Sequence, residues 1–180
     1  MKINWIRVSY DLQYVMLNLF INRVPCWTIR KLVYQKCGLR IGKDARIGIG
    51  TTVICPKGIK IGDRSVVNEN CVLDGRGGLA IGHDTSVSMF SKMLSASHKP
   101  DSSKFEYYTK RTVIGSNVWI GTSAVILDGS KIADCAVVGA NATVKGVVKR
   151  KSVVVGNPAR EIRERRLDKS YRLDYKAYFR

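Results

Sequence analysis

Between residues 41 and 144 aliphatic side chains recur at a step of six: Ile41, Ile47, Val53, then Ile61, Val67, Leu73, then Ile81, Val87, Met93. After a gap the series resumes at Ile114, Ile120, Ile126, Ile132, Val138 and Val144. An eight-residue step separates the first three runs, so Ile41-Gly42, Ile61-Gly62 and Ile81-Gly82 recur every 20 residues, while Ile114 and Ile132 recur at 18. Two positions ahead of most of these aliphatics the residue is small: Ala45, Thr51, Ser65, Cys71, Thr85, Ser91, Ala124, Ser130, Ala136, Ala142. An amphipathic helix repeats every 3.6 residues and a strand every two, and neither yields a period of six over about a hundred residues. Three sixes fit one turn of a narrow prism-shaped coil, with stacked aliphatics inside and glycines expected at the tight corners. The pattern predicts an all-β solenoid of about five coils over residues 41–149, cored by neighbour stacking and needing a cover at each end.

The segments outside the ladder supply those covers. Residues 1–40 read as helical, with one helix from Asn4 to Val24 ending before Pro25 and a second piece from Trp27 to Cys37 stopped by Gly38. The apolar run Tyr14–Ile21 lacks a cleavage site and is too short to span a bilayer. Two placements fit this segment: a cap on the first coil, the favoured one, or a helix resting on the inner membrane face with Lys2, Arg7 and Arg23 toward the headgroups. Residues 41–158 form the solenoid domain, and residues 159–180 a basic C-terminal tail expected to be short and helical. Inside the solenoid the step from Met93 to Ile114 is 21 residues, 15 more than six, so a loop over about 95–112 must be extruded. A surface of short flat strands has no deep pocket, and such a loop gives it a wall.

Charge narrows the partners only a little. The chain of 180 residues carries a formal net charge of +17. Residues 1–46 hold nine Lys/Arg against two acids and residues 145–180 twelve against four, whereas the middle is nearly balanced at ten against eight. A balanced solenoid without aromatic-basic interleaving speaks against nucleic acid. Five cysteines, Cys26, Cys37, Cys55, Cys71 and Cys135, show no metal-ligand spacing and read as reduced thiols of a cytoplasmic protein. Of two histidines, His98 opens the extruded loop, in SHKPDSSKF, and His83 sits at a corner in IGHD. Two histidines do not make a three-histidine zinc site, and no metal is implied.

The ladder, the loop beginning Ser97-His98, the following IGSNVWIG, the run ILDGSKIADCAVVGANATV and the closing VVVGNPAREI together resemble the hexapeptide-repeat acyltransferases. The likeness is nearest to galactoside and maltose O-acetyltransferases and to acetyltransferases of surface-polysaccharide biosynthesis, and it covers about residues 41–165. It implies a left-handed parallel β-helix, acetyl-CoA as donor, a saccharide or glycan hydroxyl as acceptor, and a homotrimer whose active sites lie between subunits. Independently of the resemblance, the reduced cysteines point to the cytoplasm, with contact at the inner membrane face as the less favoured reading of the N-terminal helix. An amino sugar, nucleotide-sugar or serine acceptor is the nearer alternative, and a non-enzymatic basic scaffold on a membrane surface the more distant one.

By the same resemblance His98 is the general base, since a positioned imidazole can take a hydroxyl proton at cellular pH. Asn68 and Trp119 fall where relatives bind substrate, and the Thr122 N–H where an oxyanion is met. Ala140, Lys145, Arg160 and Arg163 fall at donor-binding positions, the arginines suiting phosphate. One departure stands out: relatives read V-T-K-D where this chain reads Val144-Lys145-Gly146-Val147, which offers Lys145, Lys149 and Arg150 as substitutes on the adenosine side. No cysteine accompanies His98 in the loop, so direct transfer is expected rather than an acyl-cysteine.

Overall fold

The computed structural model describes residues 5–167 and 170–175; Lys2 lies outside the described residues. Three parallel sheets wrap one core, with six strands on the first face, six plus one antiparallel strand on the second, and five on the third. The solenoid therefore makes five complete coils and two faces of a sixth, slightly more than the spacing predicts. Register follows the ladder residue by residue. Ile41, Ile61, Ile81, Ile114, Ile132 and Val148 stand opposite one another on the first face. Ile47, Val67, Val87, Ile120, Val138 and Val154 do so on the second. Val53, Leu73, Met93, Ile126 and Val144 complete the third. All are buried except the half-buried Ile41 at the open end.

The small residues of the pattern are buried too, and their hydroxyls explain the choice. Ser65 Oγ donates to the Gly82 carbonyl at 2.6 Å, Thr85 Oγ1 to Gly115 at 2.8 Å and Ser91 Oγ to Gly121 at 2.9 Å, each one coil further on. A short hydroxyl fits beneath the corner and stays satisfied there.

Glycine meets the expectation at two of the three corners, where Gly50, Gly78, Gly129, Gly146 and Gly156 are left-handed, but not at the other. At the corner between the first and second faces the left-handed positions are Asp44, Arg64, Asp84, Asn117, Cys135 and Lys151, one per coil and none a glycine. The glycines that follow the aliphatics serve close approach instead: a Cβ on Gly62 would sit 2.5 Å from the Gly82 carbonyl carbon, and one on Gly121 2.6 Å from the Ala140 nitrogen. Coil-to-coil spacing, more than turn conformation, excludes side chains there.

The N-terminal segment packs on the first coil as two helices, α1 (Trp5–Val15) and α2 (Trp27–Lys36). The single helix expected to Val24 instead widens into a π-type turn at Met16–Phe20 and tightens to a 3₁₀ turn at Ile21–Arg23. Asn18 gives the reason. Its Nδ2 donates to the Val53 carbonyl at 3.0 Å while its Oδ1 accepts the Val53 N–H at 2.8 Å, so one side chain pairs with the open edge of the third face. The Asn22 carbonyl takes the Gly50 N–H at 2.8 Å, and the fully buried Arg30 donates to Ile47 on the second face at 2.9 Å. The cap thus supplies hydrogen-bond partners to the first coil as well as apolar cover from Leu17 and Tyr34.

At the other end the tail is not helical among its described residues. Arg160–Glu164 is a strand running antiparallel on Ser152–Val155, where it covers the last edge of the second face. Residues 165–167 and 170–175 then run extended back along the corner between the first two faces. The Arg165 N–H reaches Lys151, its Nη1 reaches the carbonyls of Asn117 and Cys135, Asn117 Nδ2 reaches Tyr171, and the Leu173 N–H reaches Asp84. An unpaired edge and a column of corner carbonyls offer the backbone more partners than a free helix would.

Candidate active site

The extruded loop is a β-hairpin: Ala96–His98 pairs antiparallel with Tyr107–Thr109, with His98 opposite Tyr107. Its tip is closed by the Lys99 N–H on the Glu106 carbonyl at 2.8 Å and by a Lys99–Glu106 ion pair at 2.7 Å. Phe105 adopts a left-handed φ of 48°, turning both ring and carbonyl onto the histidine. The Phe105 ring stacks on the imidazole with centroids 3.9 Å apart, and Tyr107 meets it edge-on at 5.5 Å. His98 Nδ1 lies 2.9 Å from the Phe105 carbonyl. A carbonyl only accepts, so Nδ1 carries the proton and the neutral ring presents a lone pair at Nε2.

The hairpin root is fixed by a buried carboxylate. Asp74, fully buried, accepts the Ser95 N–H at 3.0 Å, and its carbonyl accepts Ser95 Oγ at 2.8 Å. Arg76 binds the same carboxylate through Nε at 2.9 Å and Nη2 at 3.1 Å, and its guanidinium lies 6.0 Å from the Tyr107 ring centre. Burial alone would push the Asp74 carboxyl up, yet the Arg76 guanidinium and the amides of Arg76 and Ser95 hold it below the usual carboxylate range. A chain of contacts therefore runs Asp74, Arg76, Tyr107, His98. Asp74, Arg76, Ser95 and Phe105 escape the sequence reading. The one available signal was DGRGG, which fills the eight-residue step between Leu73 and Ile81.

The other expected site residues gather elsewhere, on the second face and the corner after it. Trp119, half exposed, donates from Nε1 to Ser88 Oγ at 3.2 Å, and Asn68, one coil before Ser88, donates from Nδ2 to the Val87 carbonyl at 2.8 Å. Thr122 and Ala140 occupy equivalent corner positions in consecutive coils, two residues after the paired Ile120 and Val138. Register then links this strip to the tail: Trp119 stands opposite Val137, Val137 opposite Val153, and Val153 opposite Arg163. The irregularity between Val153 and Val154 leaves Ile162 unpaired, so Arg160 and Arg163, three apart, share the outward side of the strand. Three strand spacings put Arg163 about 14 Å from Trp119 along the face.

Lys145 follows the last strand of the third face and lies apart from that strip. It shares an open groove of about 400 Å³ with Lys149, Arg160 and the crossing segment Asn157–Ala159. His98 likewise stands at the corner between the third and first faces. One protomer thus does not bring His98 to Trp119, Asn68 or Thr122. His83 is half exposed and donates from Nδ1 to Asp84 at 2.7 Å, as a corner residue. Cys71 is buried and its thiol is pushed up to about 12 by that burial, which suppresses the thiolate. Among the described residues no three His, Cys, Asp or Glu side chains converge as a metal site.

This geometry matches known proteins closely. The model of the bacterial transferase hexapeptide family (six repeats) matches residues 111–146. The chain is 31% identical over 136 residues to the Escherichia coli (strain K12) protein described as a colanic acid biosynthesis acetyltransferase, WcaF, spanning 76% of this chain and 75% of that one. Among solved structures it resembles the hexapeptide-repeat acetyltransferase VCA0836 of Vibrio cholerae O1 biovar eltor in complex with acetyl coenzyme A. That match has a TM-score of 0.80 and 30% identity, over 87% of each chain. A maltose O-acetyltransferase from Clostridium difficile 630 shares the fold at a TM-score of 0.83 and 22% identity, covering 91% of this chain and 90% of that one. The chain belongs to the hexapeptide-repeat acetyltransferases and is an acyl-transferring enzyme.

Proposed function

We propose that this enzyme transfers an acetyl group from acetyl-CoA directly to a hydroxyl of a saccharide acceptor, with His98 as general base. The observation that carries the reading is the bond from His98 Nδ1–H to the Phe105 carbonyl, which leaves Nε2 ready to accept the acceptor's proton. The donor reading is supported by the acetyl-coenzyme-A complex of VCA0836 and by the outward row from Trp119 to Arg163. Along that row the acyl thioester lies by Trp119, with the Thr122 N–H toward the developing oxyanion and the Ala140 backbone along the pantetheine arm. Arg160 and Arg163 then meet phosphate, with Lys145 and Lys149 in the adjoining groove. Saccharide as the acceptor class is supported by the role of WcaF in colanic acid biosynthesis.

His98 and Trp119 lie on different sides of one prism, and a homotrimer resolves the separation. The hairpin of each subunit closes on the second face of its neighbour, giving three shared sites. His98→Ala should leave acetyl-CoA binding intact and lower kcat by roughly 10²- to 10⁴-fold in a thiol-release assay over a panel of sugars, amino sugars, nucleotide-sugars and serine. Near-normal turnover of the variant with its best acceptor would refute the assignment. Preference for an amine in that panel would replace the hydroxyl acceptor.

A further inference from the structure

The two-helix cap spends only one side on the solenoid. Leu17, Asn18, Asn22, Arg30 and Tyr34 are its buried residues, and its main contacts outside the cap are with the first coil. The opposite side is apolar and open. Trp5 is 74% exposed, Leu12 64%, Leu19 54% and Phe20 65%, and on α2 Ile29 and Leu32 are 49% and 55% exposed. Trp5 and Leu12 stand seven apart, which keeps them on one side of α1, and Ile29, Leu32 and Lys36 follow at three and four on α2. More than half of the large exposed apolar side chains of the described residues fall between Trp5 and Leu32, a concentration that marks a docking face rather than scattered surface residues.

Charge selects the occupant. From residue 5 to residue 40 the cations are Arg7, Arg23, Arg30, Lys31, Lys36 and Arg40, all but Arg30 exposed or half exposed, against the single carboxylate Asp11. A second copy of this face would bring like charges together, whereas an anionic lipid surface offers the complement. Among the described residues no helix is long and apolar enough to cross a membrane. Such a helix pair lies in the plane of the interface.

We propose that the outward face of the cap docks on an anionic phospholipid bilayer, with Trp5, Leu12, Leu19 and Phe20 entering the chain boundary and Arg23 and Lys36 among the phosphates. Docked so, the solenoid stands with its first coil nearest the lipid, and the hairpin leaves the third coil, about 10 Å further out at one strand spacing per coil. That height suits a saccharide carried on a membrane lipid. The extension to the acceptor rests on the saccharide reading above; the docking itself does not.

The test is sedimentation of the full-length protein with vesicles of phosphatidylcholine alone and with about 30% phosphatidylglycerol, at low salt and at about 0.5 M salt. Binding should be at least about tenfold stronger with phosphatidylglycerol at low salt and fall steeply at high salt. Leu19→Ser with Phe20→Ser should abolish it. Arg23→Glu with Lys36→Glu, which leaves every buried contact in place, should weaken it without moving the thermal unfolding midpoint. Absence of binding to phosphatidylglycerol vesicles overturns the proposal, as does binding equal for both lipids. If instead the serine variant lowers the oligomeric state measured by sedimentation velocity while vesicles have no effect, the face is a subunit contact and the bilayer is wrong. Thiol release with a water-soluble acceptor, run on the same samples, reports the acetyltransferase reading separately, since a non-binding variant should keep that activity.

Discussion

Asp74 concentrates more of the site's order than any residue in the hairpin itself. Removing it leaves the Ser95 amide without its acceptor in a buried place and frees the partly exposed Arg76 guanidinium from the hairpin root, so Asp74→Ala should cost about 2–3 kcal/mol in urea unfolding. Activity should fall further than stability explains, because the hairpin that aims His98 starts at Ser95. Asp84 makes a second, pH-resolved prediction. The Arg64 guanidinium, bound through Nε at 2.8 Å and Nη2 at 2.6 Å, holds its carboxyl well below the usual range despite burial, helped by the Leu173 amide and His83. A carboxyl depressed in the folded state stabilises the fold above its unfolded value of about 3.9, and the benefit is lost as the pH falls through the folded value. Asp84→Asn should therefore lower the melting temperature at pH 7, and the gap between variant and parent should close as both are melted at progressively lower pH. A constant gap from pH 7 to pH 2 would show that the carboxyl's charge is irrelevant there.

At the scale of elements the cap is the informative case. Asn18 behaves as a one-residue strand, giving the Val53 edge both a donor and an acceptor. Asn18→Leu keeps helix propensity and apolar bulk, yet should cost about 1–3 kcal/mol by orphaning a buried backbone pair, read as a lower urea midpoint. The exposed edge should also promote aggregation, visible as light scattering during refolding. What was legible here follows from locality. The ladder declares itself because every rung repeats the same chemistry at a fixed step, so Ile41 to Val144 could be assigned rung by rung. That His98 stands on an extruded loop was legible from the break in that repeat, whereas its role as base rests on the family resemblance. Asn18 and Arg30 were not, since their partners are carbonyls and amides 35 and 17 residues away that have no side-chain signature. Glycine misled in part for a related reason: Gly62 and Gly82 mark coil-to-coil approach, and the left-handed positions between the first and second faces are held by Asp, Asn, Arg, Cys and Lys residues that sequence patterns treat as interchangeable polar or small positions. The tail was misread because a basic, mixed-charge stretch resembles a helix, and its strand conformation is dictated by the edge it covers.

Across the whole molecule, a stack of coils that touch only their neighbours ought to fray from either end. The described residues of the tail change this by joining the last coil at Lys151, the middle coils at Cys135 and Asn117, and the third at Asp84. A chain stopped after Glu164 should unfold over a broader range of urea with a lower apparent m-value, because the coils would no longer open together. An equally sharp transition would mean that stacking alone supplies the cooperativity. The return path also settles where the polypeptide leaves the prism. Arg172, Leu173, Asp174 and Tyr175 line a hollow with Trp27, Thr28 and Lys31 of α2 and with Asp44 and Arg46 of the first coil. The two described limits of the chain therefore emerge at one pole, and the opposite pole, with Lys145, Lys149 and Arg160, carries neither. An attachment made near Trp5 or near Tyr175 will hold the enzyme by the same pole and leave the far pole open to solvent.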